Sequence, residues 1–219
     1  MAIIIPANTL ASGGYAVDNS LRFNDGSSDY LSKTYGSAGN QKTFTISLWV
    51  KRSSFTTGSS GQNFISYQDP SGDARSDLGW SDDDRIIMGL NPSGSSWGYY
   101  YSTGKFRDPS AWYHICIAFD TTQGTDSNRL KLWVNNRQET ITGGYPAENL
   151  DTGYNANGYV HDIGRYAHSS NTYLDGYLAE FVVLDGTATT PSSFAEADED
   201  SGIWKPIDVS GLTFGTNGF

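Results

Sequence analysis

Ala111-Trp-Tyr-His-Ile-Cys-Ile-Ala-Phe-Asp120, a polar turn over 121–128, and Arg129-Leu-Lys-Leu-Trp-Val-Asn-Asn-Arg-Gln-Glu-Thr140 decide the fold of this chain. In the first run Tyr113, Ile115, Ile117 and Phe119 alternate with Trp112, His114, Cys116 and Ala118. In the second, Leu130, Leu132 and Val134 alternate with Arg129, Lys131 and Trp133. Period-two alternation on both sides of a turn predicts an antiparallel hairpin. One row of each strand is wholly apolar, so these seven residues are the predicted core and require a second layer to cover them. The other row is mixed, and any function lies on that face or in the loops beyond it.

Working outward, the 219 residues fit one all-β domain, and a chain of this size buries roughly 70% of its unfolded surface without a covalent staple. With 37% hydrophobic residues, only 17% charged and 25 Gly, the profile is globular and turn-rich. The net charge of −10 and the absence of any basic run argue against a nucleic-acid partner. No stretch approaches the 18 or so apolar residues needed for a membrane-spanning helix, so no membrane insertion is expected. Cys116 is the single cysteine, which excludes an intrachain disulfide. Met1-Ala-Ile-Ile-Ile-Pro6 lacks a basic flank and is too short for a signal peptide, so synthesis in a reducing cytoplasm without export is expected.

Before the hairpin, residues 1–17 read as an N-terminal arm. Ser20 to Phe23 and Asp29 to Ser32 flank Asn24-Asp25-Gly26 as a hairpin, and Lys42 to Arg52 alternates strongly. Further short strands follow at 63–68, 78–80, 85–90 and 97–102, and after the hairpin at 159–165 and 173–184. Thr190, Pro191, Ser193 and Glu196 have N-cap and capping-box spacing, which predicts at most one short helix near 190–197. The main domain is expected over 18–201. The tail over 202–219, with a strand-like Val209 to Phe214, is expected to pack on the domain or on a neighbouring subunit. About a dozen strands without strand–helix alternation predict a two-sheet antiparallel jelly-roll sandwich.

Several of these stretches resemble a family. Ser20–Leu31, Phe44-Thr-Ile-Ser-Leu-Trp-Val50, Trp112–Asp120 with Leu130–Asn136, and Leu174-Asp-Gly-Tyr-Leu-Ala-Glu-Phe-Val-Val-Leu184 are similar to the strands of a laminin G-like domain of the concanavalin A-like lectin/glucanase superfamily. The resemblance spans about Leu21 to Phe194. Asn135-Asn136 replaces the usual Asp-Gly after the second hairpin strand and still suits a left-handed turn. Gly202-Ile-Trp-Lys-Pro206 and Tyr173–Phe181 resemble such domains in bacteriophage structural proteins, of the virion surface or tail fibre. The resemblance implies ligands at the concave face or rim loops, without specifying one, because this fold hosts enzymes, lectins and adhesion modules.

The candidate carbohydrate-binding residues are aromatic: Trp49, Trp80, Trp97, Tyr99, Tyr100, Tyr101 and Trp133. Flat rings that are apolar on the face and wet at the edge match the C–H faces of sugars. Asp82, Asp83 and Asp84, or Asp69, Asp73 and Asp77, are candidate calcium ligands, although neither run has the order of a dedicated calcium loop. Three dispersed His and one Cys give no zinc set. A hydrolase needs paired carboxylates. Glu196-Ala-Asp-Glu-Asp200 falls outside the strands, and Glu180, between Leu178 and Val182, reads as a structural acid. His161 and Arg165, four residues apart and so expected on the same strand face, form a weak lyase-like pair. His114 reads as a satisfied strand histidine.

The expected function is a non-enzymatic virion structural protein, as capsid decoration or fibre component, that binds host surface polysaccharide. Its expected partners are other virion proteins and copies of itself. The alternative is a carbohydrate-active enzyme on the same fold.

Overall fold

Two large antiparallel sheets hold most of the strands, and a small third one pairs Ala195–Ala197 with Trp204–Pro206. The structure, a computed structural model, describes residues 15–55, 61–168 and 172–219. Most of the expected arm, part of the loop after Phe55 and the tip over 169–171 lie outside these. The strands are β1 (Leu21–Phe23), β2 (Leu31–Thr34), β3 (Thr43–Arg52), β4 (Gln62–Gln68), β5 (Arg75–Trp80), β6 (Ile86–Asn91), β7 (Gly98–Ser102), β8 (Tyr113–Asp120), β9 (Leu130–Val134), β10 (Arg137–Gln138), β11 (Ile141–Thr142), β12 (Val160–Ile163), β13 (Gly176–Asp185), β14 (Ala195–Ala197) and β15 (Trp204–Pro206). A six-stranded sheet runs β1-β13-β3-β8-β9-β10, and a seven-stranded sheet runs β11-β7-β6-β5-β4-β12-β2. The expected jelly-roll sandwich is the observed architecture.

The hairpin β8–β9 pairs Ile115 with Val134 and Phe119 with Leu130. Its predicted core row joins Phe44, Ile46, Leu48 and Val50 of β3 against Phe64, Leu78, Trp80, Met88 and Tyr100 of the other sheet. Asn135 and Asn136 turn at φ +49° and +64°, the left-handed region anticipated for them. Each fully buried Leu, Ile or Phe here contributes on the order of 2 kcal/mol of transfer free energy.

Two expectations fail, and a third is met only in its shortest form. Leu21–Phe23 and Leu31–Thr34 are not a hairpin: β1 pairs with β13 and β2 with β12, in opposite sheets. Asn24 accepts from the Gly26 N–H at 3.0 Å, and a 3-10 turn over Asp25–Ser27 carries the chain across the sandwich edge. The helix near 190–197 is a single 3-10 turn, Pro191–Ser193, without a side-chain cap. Phe194 then anchors in a buried cluster, and Glu196 goes onto β14 opposite Lys205 instead of closing a capping box. Val209 to Phe214 forms no strand; its apolar residues point onto the six-stranded sheet.

That last placement explains the mixed face of the hairpin. Cys116, Ala118, Trp133, Val182, Leu184 and Phe194 form a second cluster, covered by Val209, Leu212 and Phe214. Past this cover Asn217 donates its N–H to Asp185 at 3.0 Å, and Phe219 exchanges both backbone bonds with Val183, at 2.9 and 3.0 Å. The C-terminal segment thereby occupies the stretch of β13 edge beyond β1.

Trp204 fastens its near end. The indole Nε1–H donates to His114 Nδ1 at 2.9 Å, and His114 Nε2 lies 2.9 Å from Ser47 Oγ. Because an indole can only donate, His114 carries its proton on Nε2 and gives it to the serine. The ring is fully buried, and burial holds its pKa down to about 4. Trp204→Phe, which leaves Nδ1 buried without a donor, is expected to cost about 1–2 kcal/mol in urea unfolding; an unchanged midpoint would deny the bond this role.

Candidate ligand-binding face

With the six-stranded sheet largely covered on its outside, the other candidate face is the outer one of β4 to β7 and β12, where Tyr99 reaches solvent above buried Asn63, Ser66 and Asn91. Strand register sets Asp162, Ser66, Asp77, Gly89 and Tyr99 in one row across it. Gly89 is the low point: a Cβ there would lie 3.0 Å from the Tyr99 ring and 3.2 Å from Asp77 Cβ. Tyr99 therefore leans over the glycine toward Asp77. The Asp77 carboxylate accepts from Asn63 Nδ2 at 2.8 Å, and burial raises its pKa to about 6 against the pull of that bond. Tyr166, whose phenol burial pushes up to about 12, stands close enough to feel Arg75, Asp77 and Tyr99.

Four buried polar atoms in this region have no hydrogen-bond partner among the described residues: Asn63 Oδ1, Asn91 Oδ1, Arg75 Nε and Asp162 Oδ1. Asn91 faces Arg75 across the β5–β6 ladder. Leaving such atoms unpaired costs about 1–3 kcal/mol each, and both donors and acceptors are on offer here. A hydroxyl satisfies either kind.

The aromatic wall beside this floor is Trp97, Tyr99 and Tyr101. Trp97 and Tyr99 stack at 5.0 Å with 3° between planes, and Tyr99 and Tyr101 at 6.3 Å and 30°. Arg75 lies over Trp97 at 5.8 Å and Arg85 over Tyr101 at 4.4 Å. The ring faces expected to stack on sugars are therefore spent largely on one another and on the two guanidiniums. What the ladder offers outward is ring edge and hydroxyl, with Tyr99 39% exposed.

The other aromatic candidates lie elsewhere. Trp80 is 0% exposed in the core beneath Phe64 and Tyr113, because β5 starts at Arg75 and its parity turns Ser76, Leu78 and Trp80 inward. Tyr100 is buried on the inner face, opposite in parity to its neighbours. Trp133 is 8% exposed under the C-terminal segment and cannot meet a ligand. Trp49 stacks on His114 at 5.0 Å, on the far sheet.

Two of the acidic triplet, Asp83 and Asp84, are bound to cations of the chain itself. Asp84 pairs with the fully buried Arg52 at 3.1 Å and with Arg107 at 2.8 Å, and Asp83 pairs with Arg85 and Lys105. A hydrogen bond from the Ser81 hydroxyl at 2.7 Å, with the Arg85 and Lys105 contacts, holds Asp83 well below the usual carboxylate range. The other calcium set is split: Asp69 and Asp73 share Ser71 in a loop, while Asp77 sits on β5. Among the described residues no cluster of three His, Cys, Asp or Glu is arranged to hold a metal ion. His161 and Arg165 do not share a face. His161 packs inward on Tyr35 and Tyr67, and Gly164 at φ +85° turns Arg165 outward to pair with Asp162 at 2.6 Å. Sequence reasoning missed Asn63, Asn91 and Asp162, single polar residues on three separate strands that only the strand register and the β4 bulge bring to one face.

Residues 25–192 match a laminin G-like family of the concanavalin A-like lectin/glucanases superfamily, and the chain belongs to that family. Among solved structures it is similar to domains LG4-5 of the mouse laminin alpha1 chain, at 10% identity and a TM-score of 0.54, over 92% of this chain and 48% of that one. It is similar to a heptameric SAP-like pentraxin from Limulus polyphemus, at 18% identity and 0.51, over 74% and 71%. It is also similar to the enzymatically active domain of tailspike protein 2 from bacteriophage CBA120, at 13% and 0.53, over 81% and 26%. The chain thus spans about half of the laminin fragment and about a quarter of the tailspike. At these identities the likeness is one of fold. No curated protein sequence matches the chain.

The folded Asp77 carboxyl keeps its proton up to about pH 6, whereas an unfolded one releases it near 3.8. The folded state therefore binds more protons between those values, and Asp77 costs stability as pH rises through the window. Asp77→Asn, which keeps an acceptor for Asn63, is expected to stabilise the protein at pH 7 by on the order of 2 kcal/mol and by nothing at pH 3.5. Denaturant unfolding at the two pH values measures it; an equal effect at both would contradict the assignment.

Proposed function

We propose that this chain is a non-enzymatic structural protein of a bacteriophage virion, carried on the particle surface as capsid decoration or fibre component, and that the outer face of β4 to β7 binds host surface polysaccharide. The observation that carries the reading is the arginine-capped ladder of Trp97, Tyr99 and Tyr101, which presents ring edge and hydroxyl outward over the polar floor of Asn63, Asn91 and Arg75. The exposed edge and hydroxyl of Tyr99 are what this face presents to a sugar, and the unpartnered polar atoms lie buried beneath it. The virion context is supported by the tail motifs and by the fold shared with a bacteriophage tailspike. On this reading the protein is made in the host cytoplasm and reaches the exterior by lysis; Cys116, buried and without a disulfide partner among the described residues, needs no oxidising compartment. Other virion proteins and copies of the chain are its assembly partners.

One observation favours a second reading. Asp77, protonated to about pH 6, and Asp162, paired with Arg165, lie on one face two strands apart, which is about 9.6 Å at the backbone. An inverting glycosidase separates its acid and base by roughly that much. An array of bacterial surface polysaccharides combined with a reducing-sugar assay separates the two. Retention without release of reducing ends, weakened at least tenfold by Asn63→Ala and by Tyr99→Ala, is the expected result. Retention indifferent to both substitutions would remove the site, and turnover abolished by Asp77→Asn would replace the proposal with the hydrolase.

A further inference from the structure

On the outer face of the six-stranded sheet, beside the part that the C-terminal segment covers, the described residues form a pocket. Its volume is about 340 Å³; Ala179 lines it beside Trp49, Trp112 and Glu180, with Asp18 and Pro206 also against it. The polysaccharide reading does not involve any of these residues.

Glu180 is placed there by an irregularity. The β13–β3 register shifts between Ala179 and Val182, and Glu180 sits at φ +47°, a left-handed conformation that a glutamate in a strand seldom adopts. A bulge re-aims the side chain it carries. Simple alternation would have set Glu180 in the apolar row between Leu178 and Val182; the bulge removes it from that row and gives its carboxylate to the pocket. Tyr15 donates its phenol hydroxyl to Glu180 Oε2 at 2.9 Å. Asp18 brings a second carboxylate, and no Lys or Arg is among the lining residues. Neither Glu180 nor Asp18 is in an ion pair among the described residues. Trp49 has one face on His114, and Trp112, the residue just before β8, lines the pocket and is 37% exposed.

Two indoles and two carboxylates without a counter-cation form a site of one sign. Ring faces attract a cation through their quadrupole, most strongly when the cation is large, soft and cheaply desolvated. A small metal ion would take the carboxylates and leave the rings unused. A neutral sugar would use the rings and leave the charge unanswered. We propose that the pocket between Trp49, Trp112 and Glu180 binds a substituted ammonium group, the trimethylammonium of a choline-type headgroup or of a methylated lysine side chain.

Titration of tryptophan fluorescence at constant ionic strength tests this. Tetramethylammonium and choline are expected to give a saturable change, and 3,3-dimethylbutan-1-ol, the uncharged isostere of choline, at least a tenfold weaker one. Glu180→Gln and Trp112→Ala should each weaken choline binding at least fivefold with an unchanged unfolding midpoint, and Asn63→Ala should leave it intact. Choline against an ε-trimethyllysine peptide distinguishes a headgroup from a protein side chain as the source. A linear response to the cations, equal binding of the isostere, or indifference to Glu180→Gln would each overturn the proposal. A glycan result of either sign leaves it standing.

Discussion

The bond from Trp204 to His114 and onward to Ser47 ties the C-terminal segment to the middle of the six-stranded sheet. Its chemistry allows one arrangement, since the indole can only donate and the histidine must stay neutral to accept. From that anchor the chain runs over Cys116, Trp133, Val182 and Leu184 and ends paired to β13. β3 and β8 are consequently buried on both sides, which is unusual for antiparallel strands, whose second face is commonly solvated. With one outer face closed in this way, the face proposed for a large ligand is the outer one of the other sheet, where Tyr99 reaches solvent.

The two outer faces respond to acid in opposite directions. Neutral His114 contributes stability above its unfolded pKa of about 6.5, and that contribution is lost as pH falls through about 4. Asp77 does the reverse, relieving its own face as it protonates below about 6. The same burial causes both shifts. In the first case it preserves a structural bond, and in the second it keeps a carboxyl uncharged among atoms that lack partners.

What the sequence revealed follows the range of the forces involved. The hairpin core row and the left-handed Asn135-Asn136 turn were legible because period-two alternation and turn conformation are local. Trp80 and Tyr100 were misplaced by parity alone: one residue of error at a strand start exchanges the two faces of a sheet. Trp133 could not be read at all, because what covers it lies some seventy residues downstream, in a segment whose apolar residues looked like a strand. Glu180 and Arg165 were misread for a shared reason. A bulge at Ala179/Val182 and a left-handed Gly164 each break the alternation on which face assignment rests.

The ladder of Trp97, Tyr99 and Tyr101 carries the functional claim, together with the floor of Asn63, Asn91 and Asp77 beside it. Hydroxyl-radical footprinting of the protein, with and without the polysaccharide most strongly retained on the array, tests it most directly. The account predicts that the polysaccharide slows oxidation of Trp97, Tyr99 and Tyr101, leaves Trp112 unchanged, and finds Trp80 and Trp133 protected throughout. Protection confined to Trp112, or Trp133 oxidised as fast as Trp97 in the free protein, would contradict it.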